Sequence, residues 1–122
     1  MTTPNLILLY VSDPARSAAF YADLLGTEPE AVFPNYAALS FGNGLSLGLW
    51  STAAQDFVSG GEGHRSELAF MVPSDAEVDR MHDDWVARGV SVEQAPLQAA
   101  FGRTFVALAP DGHRIRVCTP DG

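Results

Sequence analysis

Three residues of this 122-residue chain offer chemistry from within strand-like runs: Glu67, Arg116 and Trp50. Arg116 lies in Arg114-Ile115-Arg116-Val117-Cys118. Alternation along a strand turns Ile115 and Val117 to one face and Arg114, Arg116 and Cys118 to the other. An arginine between apolar neighbours needs a partner or a pocket. Glu67 opens the run Glu67 to Val72, and Trp50 ends the run Leu45 to Trp50, where its flat indole is suited to stacking. The other reactive types read as surface or core. His64 falls in a polar linker, His82 on a helix beside charges, and His113 at a turn. Cys118 reads as a small apolar residue. The chain shows no Ser-His-Asp order, no phosphate-binding loop and no paired-carboxylate spacing.

The elements that must position these residues repeat. Asn5 to Val11 is an apolar run of strand length. Asp13 is a good N-cap and Pro14 suits the first helical position, so a helix is predicted from Pro14 to Leu25, closed by Gly26. Its apolar stripe is Ala18, Tyr21, Leu24 and Leu25, flanked by Phe20. A short strand through Ala31, Val32 and Phe33 breaks at Pro34-Asn35. Tyr36 to Phe41 and Leu45 to Trp50 form a hairpin across Gly42-Asn43-Gly44. Ser51 to Arg65 is polar and Gly-rich, a linker. The order then recurs. A strand runs from Glu67 to Val72, and Ser74 with Glu77 makes a capping box. The second helix extends to about Arg88, with Val78, Met81 and Trp85 inward, and Gly89 ends it. A short strand covers Val90 to Glu93, and a loop passes through Phe101-Gly102. The last hairpin joins Arg103–Leu108 to Arg114–Cys118 through Pro110-Asp111-Gly112, a turn in which proline presets φ and glycine accepts a positive one. Each copy leaves one sheet face uncovered, which implies that the copies pack together.

Composition narrows the partners. The chain is 47% hydrophobic and 18% charged, as globular domains are. A net charge of −8 disfavours nucleic acid and anionic membranes. A single cysteine excludes an internal disulfide and fits a reducing compartment. The N-terminus lacks the charged and apolar regions of a signal peptide, and no apolar run is long enough to span a bilayer. A cytoplasmic protein is expected.

The order and spacing of several short motifs resemble the vicinal oxygen chelate superfamily, which includes glyoxalase I, extradiol dioxygenases and bleomycin-resistance proteins. The resemblance is carried by Val11-Ser12-Asp13, Phe20-Tyr21-Ala22-Asp23-Leu24-Leu25-Gly26, Leu68-Ala69-Phe70-Met71-Val72, Ala87-Arg88-Gly89-Val90 and Pro110-Asp111-Gly112-His113-Arg114-Ile115. It implies an α+β fold, a single domain of two βαβββ modules (residues 1–52 and 65–122) whose curved mixed sheet encloses a cavity, usually in a homodimer. Under that fold one strand face collects Ile7, Leu9, Val11, Leu45, Leu47, Leu49, Leu68, Phe70, Val72, Ile115 and Val117. The opposite face collects Leu6, Leu8, Tyr10, Tyr36, Ala38, Ser40, Ser46, Gly48, Trp50, Glu67, Ala69, Met71, Arg103, Phe105, Arg116 and Cys118. Mixed apolar lining with few polar groups is how a small-molecule site reads. Phe33, Tyr36, Phe57 and Phe101 are expected to complete its aromatic wall, the last two from loops.

Metal-dependent relatives resemble one another in four ligand positions, which fall here on Leu6, Gly48, Glu67 and Arg116. Leucine and glycine offer no ligating side chain, and arginine repels a divalent cation. One carboxylate does not hold a catalytic metal. The family's metal site is therefore expected to be absent, with no other cofactor implied. A Glu67–Arg116 ion pair is expected in its place, either a satisfied structural pair or a pair that orients a ligand.

Two functions fit. The first is a metal-free protein of the bleomycin-resistance type that sequesters an aromatic or amphipathic small molecule, with ligand contacts at Trp50, Tyr36, Glu67, Arg103, Phe105, Arg116, Phe101 and Gly48. Gly48 is expected to leave room above the sheet. The second is a lyase, isomerase or dioxygenase of the same superfamily, which needs either a metal bound through other residues or Glu67 acting as a base without metal. Arg116 would oppose the raised pKa that such a base needs.

Overall fold

The ends of both helices are fixed by single side chains. In the computed structural model, which describes residues 4–54, 66–99 and 102–119, helix α1 spans Pro14–Leu25 and helix α2 spans Asp75–Ala87. The Asp13 carboxylate accepts from the Arg16 N–H at 3.2 Å, satisfying one of the donors a helix start leaves open. Ser74 Oγ does the same for the Glu77 N–H, also at 3.2 Å. The Glu77 carboxylate itself turns to Arg80. Gly26 ends α1 at φ 68°, where its N–H returns to the Ala22 carbonyl.

Each helix belongs to its own compact unit, residues 1–61 and 62–122. The first unit runs β1 (Leu6–Val11), α1, β2 (Ala31–Phe33), β3 (Tyr36–Ser40) and β4 (Ser46–Ser51). The second runs β5 (Leu68–Met71), α2, β6 (Ser91–Ala99), β7 (Gly102–Leu108) and β8 (Arg114–Cys118). Both are βαβββ modules, and their four-stranded sheets have equivalent orders, β1-β4-β3-β2 and β5-β8-β7-β6. In each the first strand lies parallel to the last, and the remaining neighbours are antiparallel. Of the linker expected over Ser51 to Arg65, Ser51 instead ends β4, and residues 55–65 lie outside the described residues.

Alternation along the strands gives each sheet a helix-covered face. In the first unit Leu9, Val11, Ala37, Leu39, Leu47 and Leu49 are buried with Ala18 and Tyr21 of α1. In the second, Phe105, Ala107, Ile115 and Val117 are buried with Val78 and Trp85 of α2. Trp85 meets Phe105 and Phe70 edge to face, at ring separations of 5.4 and 5.6 Å, the geometry the ring quadrupoles favour.

Two sequence expectations fail in the second unit. The strand after α2 does not stop at Glu93 but continues to Ala99. Its ladder with β7 is broken by register shifts between Val92 and Gln94 and between Gln94 and Leu97. Such bulges blur the two-residue alternation that marks a strand, and Pro96 within it reads as a breaker. The final hairpin also has another register. Leu108 pairs with Arg114 and Phe105 with Val117, so Phe105 shares the helix-covered face. A shift of one residue exchanges the two faces of a strand.

Candidate functional site

The uncovered face of the first sheet is built of rings and small residues. Phe33 on β2 pairs with Tyr36 on β3, Tyr36 with Trp50 on β4, and Trp50 with Tyr10 on β1. One aromatic residue from every strand therefore stands in a single row across the whole sheet. The next row on the same face is Ala31, Ala38, Gly48 and Leu8. A third holds Ser40, Ser46 and Leu6. No Asp, Glu, Lys, Arg or His occurs in these three rows. Tyr10 and Trp50 meet edge to face at 6.3 Å. Leu6, Leu8, Tyr10 and Phe33 are large apolar side chains left exposed, Phe33 to 60%. A contiguous surface of that kind marks an interaction site.

The sequence places Tyr10, Tyr36 and Trp50 on this face and Phe33 in its aromatic wall, and the structure aligns the four in one row. Their alignment in a single row is set by strand register, which periodicity alone does not supply. Gly48 lies within the small-residue row, but not beneath open space. A Cβ built there would lie 2.7 Å from the Tyr36 hydroxyl oxygen and 2.9 Å from Leu8 Cδ1. The room that Gly48 creates is taken by its neighbours.

The second sheet carries charge on the face away from α2. Arg116 Nε donates to Glu67 Oε1 at 2.7 Å, and its Nη2 donates to Oε2 at 3.1 Å. This is a two-point contact between a guanidinium and a carboxylate. Arg116 Nη1 donates to Thr104 Oγ1 at 2.9 Å. Arg114, two residues away on the same strand face, donates from Nε to Glu67 Oε2 at 2.9 Å and also pairs with Glu93. The expected Glu67–Arg116 pair is thus one link in a chain of two carboxylates and two guanidiniums. Arg114 was visible in the sequence as the next residue on that face.

The bonds between Glu67 and Arg116 shift the protonation of both. Hydrogen bonds from Arg116 hold the Glu67 carboxyl down at about 2, against a usual 4.5; partial burial works the other way, and Arg114 adds to the lowering. Arg116 is raised in turn, chiefly by its bond to Glu67. A carboxylate so strongly ionised is a poor general base, because proton abstraction near neutral pH calls for a much higher pKa.

Arg103 and Phe105 do not belong to this face. Arg103 Nε donates to Asp79 of α2 at 2.7 Å, and Phe105 is fully buried against Trp85 and the His82 ring. Both expectations fail for the register reason given above. Phe57 and Phe101 lie outside the described residues. His82 is not simply a surface group, since its ring stands edge to face on Phe105 at 5.3 Å. An open depression at the C-terminal end of α1, lined by Ala22, Asp23, Gly26, Thr27 and Glu28, offers two carboxylates and no aromatic ring.

A metal does not fit the residues present. Among the described residues no three His, Cys, Asp or Glu side chains are grouped as a metal would need. Both oxygens of Glu67 face guanidinium groups, and the tip of Tyr36 and the ends of Leu6 and Leu8 crowd Gly48.

Residues 3–117 match the Glyoxalase/Bleomycin resistance protein/Dioxygenase superfamily. The chain belongs to that superfamily. Among curated proteins it is similar to the phenazine antibiotic resistance protein EhpR of Enterobacter agglomerans, 36% identical over 98% of this chain and 93% of that protein. A solution NMR structure of a protein from Agrobacterium tumefaciens is 42% identical over the whole of both chains, with a TM-score of 0.82. A glyoxalase-related enzyme from Fulvimarina pelagi is 22% identical over 98% of this chain and 88% of that one. It superposes with a TM-score of 0.79 and shares the fold. Superfamily membership agrees with the resemblance in the sequence motifs, and the two mixed four-stranded sheets agree with the expected fold. No helix is long and apolar enough to cross a membrane among the described residues.

Proposed function

We propose that this protein binds a planar aromatic small molecule without a metal ion, and protects by sequestration rather than by reaction. The observation that carries the reading is the row Phe33, Tyr36, Trp50 and Tyr10 beside a row of small residues. Rings at adjacent cross-strand positions give a broad apolar surface, and a flat ligand gains both buried area and ring contacts on it. The similarity to a phenazine resistance protein supports the same reading, since phenazine is a flat tricyclic aromatic. The Glu67 network speaks against the catalytic alternative, because its carboxylate is committed to two arginines. In this reading the protein acts in the cytoplasm as a homodimer.

The two tryptophans make the test direct. Trp50 stands in the row, whereas Trp85 is 3% exposed and enclosed by Phe70 and Phe105. Phenazine titrated into the protein is expected to quench Trp50 emission. Quenching then persists in Trp85→Phe and is lost in Trp50→Phe. Trp50→Ala should weaken binding by about 1–3 kcal/mol, the scale of one buried aromatic contact. Quenching that survives Trp50→Phe and disappears in Trp85→Phe would place the ligand elsewhere.

A further inference from the structure

Gly48 is a glycine without a backbone reason. Six described glycines adopt positive φ, and Gly48 is not among them. It occupies a regular position in β4, paired with Leu8 on one side and Ala38 on the other. A glycine there gives up the side-chain contacts of a strand and carries an entropic cost. What it supplies is space, and the structure shows who uses it. A Cβ would stand 2.7 Å from the Tyr36 hydroxyl, 2.9 Å from Leu8 Cδ1 and 3.2 Å from Leu6 Cδ1.

The direction of Tyr36 follows from that contact. Its Cα is opposite Trp50, yet its hydroxyl lies over position 48, two residues back along β4. Diagonal neighbours across a strand pair are within reach of an aromatic side chain. The long axis of the ring therefore runs along the sheet instead of standing away from it. The hydroxyl and the ends of Leu6 and Leu8 all converge on the space above Gly48.

We infer that Gly48 is a positioning residue for the ligand platform: its missing Cβ seats the Tyr36 ring along the sheet, beside Trp50. This rests on the proposed function, and it reverses the expectation that Gly48 makes room for the ligand itself. A Cβ at position 48 has to displace the Tyr36 hydroxyl, and the ring with it, so it acts on a flat ligand through Tyr36.

The test uses the full chain, with phenazine as the probe, and compares Gly48→Ala, Tyr36→Phe and Gly48→Ala/Tyr36→Phe. Gly48→Ala should weaken phenazine binding by about tenfold, the scale of one ring contact. Tyr36→Phe alone, which keeps the ring and loses the hydroxyl, sets the reference affinity against which the double variant is read. The double variant, freed of the 2.7 Å contact, should regain most of the loss. A readout without ligand accompanies this, the Trp50 indole N–H signal in the NMR spectrum, assigned by its loss in Trp50→Phe. It should move in Gly48→Ala and return toward its original position in the double variant. If Gly48→Ala does not fold, recovery of folding in the double variant supports the same contact. An unchanged affinity and unmoved indole signal in Gly48→Ala, or a double variant no better than the single, overturns the inference. Wild-type protein that fails to bind phenazine overturns the proposed function instead, and the indole signal still decides whether Gly48 seats Tyr36.

Discussion

Glu67 is a carboxylate shared by two arginines, and its behaviour in acid follows from that. Folding lowers its pKa from 4.5 to about 2, so the folded state takes up the proton less readily than the unfolded chain. The stabilisation it contributes is complete above the unfolded value and is lost as the pH falls from 4.5 toward 2. Glu67→Gln removes the charge and leaves Arg114 and Arg116 facing a neutral amide. Denaturant titrations at several pH values should find this variant less stable than wild type at neutral pH, with the gap closing through that acid window. A gap independent of pH would mean that the ion pairs contribute nothing specific. The same pairing governs metal content. Elemental analysis after dialysis should find no stoichiometric divalent ion, whereas about one Zn, Fe, Mn or Ni per chain, lost in Glu67→Gln, would contradict the metal-free reading.

Strand β7 shows how one element decides which residues belong to a site. Phe105 is fully buried against Trp85 of α2, so Phe105→Ala should cost about 3–5 kcal/mol in chemical denaturation, the range for a large core ring. Arg103 makes a partly exposed pair with Asp79, and Arg103→Ala should cost no more than about 1 kcal/mol. Neither substitution, once the protein is folded, is expected to alter phenazine affinity as Trp50→Ala does. The elements themselves were largely legible. Asp13-Pro14 and Ser74 marked both helix starts, Gly26 one helix end, and the apolar alternation of β4 and β8 gave their faces. The face of β7 was not legible, because it depends on the residue at which the hairpin stops pairing. Ending the ladder at Leu108–Arg114 makes Val106 the neighbour of Arg116 and Phe105 the neighbour of Val117. Bulges and an internal proline hid the length of β6 in the same way. The site was legible in part: Trp50, Tyr36 and the Glu67–Arg116 pair have local sequence signals. Tyr10 on that face and Phe33 in its aromatic wall were legible too, but Tyr10 lines up with Trp50 only through pairing between strands distant in sequence.

At the scale of the molecule, the exposed apolar residues of β1 and β2 predict association. Leu6, Leu8, Tyr10 and Phe33 are too apolar a set for a surface facing only water. Sedimentation velocity at micromolar concentration should give a homodimer, and a monomer throughout that range would contradict it. The two sheets have the same strand order but differ on their uncovered faces, rings and small residues in one, paired charges in the other. That shared order also governs assembly of the chain. Among the described residues the first strand of each sheet has only the last as its neighbour, so the least local contact of each unit is also the one that completes its sheet. Helices and hairpins are local and form early, while a parallel pairing must wait for loop closure over the intervening chain. During synthesis β5 has no partner in its sheet until residues 114–118 have left the ribosome. A chain that stops after Leu108 would carry its second helix and a strand pair, with Leu68–Met71 left without the ladder that completes it.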